Sequence, residues 1–265
     1  MPIVDSHCHV SPTWYEPVET LLYQMDRYGV EKAILIQMNG QSNNSYQTEC
    51  LRRFPGRFAA VGIVDTSSPE AVRALERLAE DGASGVRLNP TTRSPGADPL
   101  AIWRAAARLG LSVSCGGNTE AFISDAFREA VEAFPELPIV MEHLAAVNHP
   151  DGDAAKVEAR RRAFAMARYP NVSIKIHGLG EFCRRAMPVQ EPFPFERPVP
   201  TLLEQVYEAF GPRRMMWGSD YPPVSGREGY GNALRLTMAE LASKSADDRD
   251  WIFGGTALKV FPVRG

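Results

Sequence analysis

Short apolar runs alternate along this chain with stretches whose apolar residues recur every three or four positions. The first kind suits buried β-strands and the second amphipathic helices. The opening run, Ile3-Val4-Asp5-Ser6-His7-Cys8-His9, predicts a strand that ends in two histidines. Val18, Leu21, Leu22 and Met25 then predict a helix over 18–28, closed by Gly29 as a left-handed cap. Further strands are predicted at 32–38, 58–64, 85–89, 111–115, 138–143, 172–177 and 214–219. Helices are predicted at 43–53, around Val72, Leu75 and Leu78, and at 101–109, 123–134, 153–168 and 201–210, with two more after the last strand. Ser68 suits the N-cap of the helix around Val72, Pro69 and Glu70 its first turn, and Gly82 its end. Residues 184–200 hold five prolines and no period, so they read as a long loop. Eight strands separated by helices predict a parallel sheet. At 265 residues, close to the about 250 typical of a (β/α)8 barrel, the α/β reading becomes one closed barrel domain over 1–265.

Composition narrows the function classes. An apolar fraction of 44% and a charged fraction of 23% are those of a globular chain with a large core. The net charge is −3, with basic and acidic residues interspersed, which argues against a nucleic-acid partner and for a small-molecule substrate. No apolar run approaches the roughly 20 residues of a membrane span. Cys8, Cys50, Cys115 and Cys183 are widely spaced and no charged leader precedes Ile3, so they read as free thiols of a cytoplasmic protein. Monomer and homo-oligomer both stay open.

In a parallel barrel the chemistry sits at the C-terminal ends of the strands. His7 and His9 end the first predicted strand, Arg87 and Asn89 the fourth, His143 the sixth and His177 the seventh, while Asp220 follows the eighth. Side chains at i and i+2 share a strand face, so His7 and His9 converge as half of a metal site, with Asp5 on the same wall. Each residue has a plainer role beside this one. His143 can be a hydrogen-bonded structural residue, Asp220 a helix cap, and Arg87 the partner of a buried carboxylate such as Asp5. Lys175 shares a face with His177 as an ion-paired or ligand-bearing lysine, His149 reads as structural, and Trp14-Tyr15 either roofs a pocket or packs.

Asp5-Ser-His-Cys-His9, Gly85-Val-Arg-Leu-Asn89, Glu142-His-Leu144, Ile174-Lys-Ile-His-Gly178, Trp217-Gly-Ser-Asp-Tyr-Pro222 and Gly254-Gly-Thr-Ala257 resemble, in order and spacing, the amidohydrolase superfamily. The nearest group is the amidohydrolase-related hydrolases, which include sugar lactonases and pyrone-dicarboxylate lactonases and, further off, nonoxidative decarboxylases. The resemblance implies a distorted TIM barrel. It also implies one divalent ion, zinc before manganese, on His7, His9, His143 and Asp220. Many relatives have Ser where His177 stands, so this imidazole is an added ligand or an acid/base. Metal-independent lactonases of the group hold dicarboxylates with several arginines, one of them three residues after the mid-barrel histidine; here that position is Ala146.

The chemistry expected is water activated by the ion and opening a lactone or similar cyclic ester of a small organic or sugar acid. Asp220 moves the proton, His177 or the ion polarises the carbonyl, and Arg87 holds the substrate. Alternatives are decarboxylation of an aromatic or enoic acid, metal-free lactone hydrolysis, and a barrel that only binds a small acid. A TatD-type nuclease opens with a similar motif, yet it needs a Gly-Glu-Ile-Gly-Leu-Asp segment and this chain has only Gly62-Ile-Val-Asp65.

Overall fold

The computed structural model describes residues 1–147 and 153–264, so His149 lies outside the described residues. Eight parallel strands form one sheet in sequence order: β1 (Ile3–Cys8), β2 (Val30–Ile36), β3 (Phe58–Gly62), β4 (Gly85–Leu88), β5 (Ser112–Cys115), β6 (Ile139–Met141), β7 (Val172–Ile176) and β8 (Met215–Trp217). The seam between β8 and β1 closes at the rim, where Cys8 bridges Tyr221, the His9 amide donates to the Tyr221 carbonyl at 2.7 Å, and the Asp220 amide donates to the His7 carbonyl at 2.8 Å. Closure by these rim contacts in place of a regular strand ladder, together with register shifts in β1, makes this a distorted (β/α)8 barrel.

The apolar patterns account for two cores. One lies between strands and helices, where the stripe Val18, Leu21 and Met25 of the helix Val18–Tyr28 is fully buried, and Gly29 caps that helix at φ 70°. The other fills the barrel below the site with Val4, Ile34, Ile36, Ala59, Val61, Val140, Met216 and Phe261. The C-terminal segment plugs the lower end, its Val260 and Pro262 carbonyls accepting from the hydroxyls of Ser112 (2.5 Å) and Ser84 (2.7 Å) at the strand starts. Chemistry is thereby confined to the opposite rim.

Some elements differ from expectation. The helix expected at 123–134 runs over Asp125–Ala133, capped by the Ser124 hydroxyl, which accepts from the Phe127 amide, and a short helix not expected, Thr119–Phe122, precedes it. After β8 there are three helices, Tyr230–Glu240, Ala246–Asp250 and Thr256–Val260, the last two joined by a wide turn over Trp251–Gly255. Among the described residues no helix is long and apolar enough to cross a membrane.

Candidate active site

Four imidazoles meet at the C-terminal rim. His7 lies within 4.9 Å of His9, 4.8 Å of His143 and 5.1 Å of His177, centroid to centroid, and His143 stacks on His177 at 4.2 Å. The approach of β8 to β1 needs Gly218, since a Cβ there would lie 2.6 Å from that of His7. Asp220 completes the cluster, its Oδ1 at 3.7 Å from His9 Nε2 and 4.0 Å from His7 Nε2. The sequence-expected metal set and His177 are therefore in one place.

Backbone conformation sets two of these positions. His143, Leu144, Ala145 and Ala146 all adopt left-handed φ, from 51° to 58°, and so does Asp220 at 58°. Each such residue with a Cβ costs roughly 1–2 kcal/mol. The strand expected to run through His143 instead stops at Met141, and the left-handed turn carries the His143 ring over the barrel mouth. Bonds from Thr119 Oγ1 to the Ala145 and Ala146 carbonyls, both 3.1 Å, hold the turn.

The ring nitrogens are wired so that their roles can be read. Nδ1–H of His9 donates to the Ile36 carbonyl at 2.7 Å, that of His177 to the Gly218 carbonyl at 3.0 Å, and that of His143 to Glu181 Oε1 at 2.8 Å. In neutral form each therefore keeps its Nε2 lone pair for a ligand. His7 is different: its Nδ1 faces Lys175 Nζ at 3.2 Å, a donor when charged, so ligation through His7 Nε2 requires that lysine to act as an acceptor. Burial pushes Lys175 down to about 8, which brings the neutral amine into reach. Both His7 Nε2 and His177 Nε2 are buried without a hydrogen-bond partner. Orphaned lone pairs beside a carboxylate fit a divalent cation, and clusters with ligand atoms within 4.8 Å include His7/His9/Asp220, His7/His143/His177 and His143/Glu181/Asp220.

Electrostatics hold Asp220 and Glu181 ionised and His7 and His177 neutral, whereas, against its burial, contact with Glu181 raises His143. Burial raises Asp220, but contact with His9 and the cationic groups around it, Arg227 among them, outweigh burial and hold it at about 2. Glu181 is likewise held at about 2 against its burial. Desolvation drives His177 down to about 4, so it is a neutral acceptor at neutral pH. With its Nδ1–H engaged, a neutral His177 presents an Nε2 lone pair, which accepts and does not donate.

Arg87 stands at the rim but is engaged. Its Nε and Nη2 donate to Glu142 Oε2 at 3.1 and 2.7 Å, and Nη1 donates to the Gln37 carbonyl at 3.0 Å. The partner carboxylate is thus Glu142 and not Asp5, which instead accepts from the Ser219 amide and hydroxyl at 2.8 and 2.6 Å and ties β1 to β8. Below, Lys175 donates to Ser114 Oγ (3.0 Å), which donates to Glu142 Oε1 (2.7 Å). Burial opposes ionisation of Glu142, yet Arg87 and Lys175 hold it well below the usual carboxylate range. Tyr15 stacks on His9 at 5.4 Å, while Trp14 points into solvent, 76% exposed.

Glu181 and Arg227 come from loops after β7 and β8, and no sequence signal separates them from other loop charges. Glu142 had one: Arg87, Glu142 and Lys175 are charges within or directly after apolar strands, and buried charges need partners. A cavity of about 590 Å³ opens beside the cluster, with Asn39, Thr66, Asn89, Thr92, His143 and Ala146 in its wall.

A parallel barrel with imidazoles and carboxylates gathered beside a cavity at its C-terminal rim has the layout of a (β/α)8 enzyme, and its cluster could hold a cation. The Amidohydrolase family model, Amidohydro_2, matches residues 4–263, and the chain belongs to that family. It is 26% identical over 289 residues to an L-fucono-1,5-lactonase of Burkholderia ambifaria, covering 98% of this chain and 95% of that one. Among solved structures, a putative 2-pyrone-4,6-dicarboxylic acid hydrolase from Pseudomonas putida superposes with a TM-score of 0.76 at 20% identity, over 98% of this chain and 97% of the other. An amidohydrolase from Burkholderia multivorans, solved with zinc bound, superposes at 0.74 and 21% identity over 99% and 100%.

Proposed function

We propose that this protein hydrolyses a lactone of a small polyhydroxylated acid, with one divalent cation, zinc in the first place, held by His7, His9, His143 and Asp220. The observation that carries this reading is the convergence of His7 Nε2 and His9 Nε2 on Asp220 Oδ1, with His7 Nε2 and the neighbouring His177 Nε2 buried and partnerless. When bound there, the cation supplies Lewis acidity, polarising the ester carbonyl and acidifying water. Asp220, ionised at neutral pH, takes the proton of the attacking water. It returns that proton to the ring oxygen as the C–O bond breaks, so lactone and water become a hydroxy acid. His177, neutral and with a free Nε2, is an additional ligand or a second proton acceptor.

The cavity wall supports a neutral, hydroxylated substrate. Asn39, Thr66, Asn89 and Thr92 offer amides and hydroxyls, and Arg87, the cation in that wall, is committed to Glu142. The relative acting on L-fucono-1,5-lactone supports the same choice. In this reading Arg87 shapes the cavity floor and offers at most its remaining N–H groups to a hydroxyl. Four unpaired cysteines support a reducing, cytoplasmic setting.

The test is proton release from zinc-loaded protein against a panel of sugar lactones and dicarboxylate lactones, with gas analysis for carbon dioxide. Acid release from sugar lactones without gas is expected, and Asp220→Asn should lower kcat by about 10²-fold or more, the usual range for an acid–base group. Carbon dioxide evolution, or wild-type turnover by Asp220→Asn, would overturn the reading.

A further inference from the structure

Asp220 uses its two carboxylate oxygens differently. Oδ1 faces the imidazoles, whereas Oδ2 accepts a hydrogen bond from Arg227 Nη1 at 3.0 Å. Arg227 lies just past the short turn Pro223–Gly226, with its side chain 26% exposed, and its Nε and Nη2 atoms are buried without partners. That free edge of the guanidinium looks toward Glu228, whose Oε2 is also buried and partnerless and stands 3.6 Å from Arg227 Nε. Glu228 Oε1 is anchored in turn by the Gly180 amide at 3.0 Å. A Cβ on Gly178 or Gly180 would fall 2.0 Å from a Glu228 oxygen, so both glycines are needed to admit this carboxylate. The next residue, Glu181, holds the His143 ring. A chain of charges thus runs from Asp220 through Arg227 and Glu228 to the loop that orients His143.

We propose that Arg227 is the positioning residue of Asp220: its guanidinium takes one carboxylate oxygen so that the other is presented to the cation site and the reacting water. A carboxylate at the end of a strand, on a residue with left-handed backbone, is otherwise free to turn about two side-chain bonds. The bond from Arg227 Nη1 to Oδ2 restricts that freedom, and the guanidinium stands between Asp220 and Glu228. Glu228 makes the arrangement rigid and balances a second charge, and Arg227 itself need not touch the substrate. The inference rests on Asp220 being the proton carrier of the proposed reaction.

The experiment uses the full chain loaded with zinc. Arg227→Ala is expected to lower kcat at saturating zinc by about 10–100-fold, to weaken zinc affinity against a competing chelator in the same range, and to leave KM within about twofold. Guanidinium ion at non-denaturing concentration should restore part of the kcat of Arg227→Ala, a recovery that a general packing defect would not show. Arg227→Lys, which keeps the charge and loses the guanidinium that reaches from Asp220 to Glu228, serves where the alanine variant does not fold; it should also lose kcat. Wild-type kcat in either variant, or raised KM with unchanged kcat, overturns the inference. Asp220→Asn measured in parallel separates the two failures. If it is inactive while Arg227→Ala is fully active, only the positioning role falls. If it is itself fully active, the proton-carrier reading falls and takes this inference with it.

Discussion

Arg87→Met is the perturbation that most sharply divides an internal ion pair from a substrate anchor. The guanidinium has five N–H groups, and three of them are bonded to Glu142 and the Gln37 carbonyl. Removing it leaves the fully buried Glu142 carboxylate with the Ser114 hydroxyl at 2.7 Å and Lys175 Nζ at 4.0 Å. Deleting one partner of a buried pair costs about 3–5 kcal/mol, because the other charge stays desolvated. With an unfolding entropy of about 2.1 cal/mol/K per residue, the 265 residues amount to about 0.56 kcal/mol/K, so Tm should fall by roughly 5–9 °C. Calorimetry of Arg87→Met, and of the double variant Arg87→Met/Glu142→Gln, is the assay. The double variant removes the stranded charge as well and should recover more than half of the loss. A Tm for Arg87→Met within about 1 °C of wild type, accompanied by a raised KM, would refute the ion-pair argument and return Arg87 to the role of substrate anchor.

Two further predictions concern the cluster itself. His7→Ala, a change at the rim, should lose most bound zinc on dialysis while keeping the far-ultraviolet spectrum of the barrel, and stoichiometric zinc by elemental analysis would remove His7 from the ligand set. Glu181, whose carboxyl sits at about 2 in the fold against an ordinary 4.5, binds fewer protons folded than unfolded. Its contribution is complete above pH 4.5 and is lost as pH falls toward 2, on the order of 3 kcal/mol. Denaturant midpoints of Glu181→Gln should therefore vary less than wild type between pH 5 and pH 3; an unchanged dependence would show that Glu181 is not held ionised by His143.

The barrel was legible because its strands are buried on both faces and read as short apolar runs, and because Gly29 and Gly82 punctuate the helices between them. His7, His9, His143, His177 and Asp220 were legible for a related reason: a polar residue that ends an apolar run must stand at the barrel rim. What stayed hidden were the groups that orient these side chains. Glu181 and Arg227 sit in loops, and loop charges are ordinary on any surface. Glu142 lies in the motif Glu142-His-Leu144, yet its pairing with Arg87 across β5 depends on the barrel's curvature, which no spacing along the chain encodes. Element ends shifted wherever a local hydrogen bond competed, as at Ser124.

Left-handed backbone at His143 and Asp220 joins these levels. Five non-glycine residues in that conformation, at roughly 1–2 kcal/mol each, are a large fraction of a typical folding stability of about 5–15 kcal/mol. Stability alone would favour glycine at such positions, yet glycine would remove the two side chains that aim at the cluster. The surroundings then have to offset the strain: Thr119 binds the turn carbonyls, Glu181 binds the His143 ring, and Arg227 binds the Asp220 carboxylate. Strain is thus concentrated at residues that face one another, each held by its own polar partner, and backbone strain of this kind clusters at functional sites.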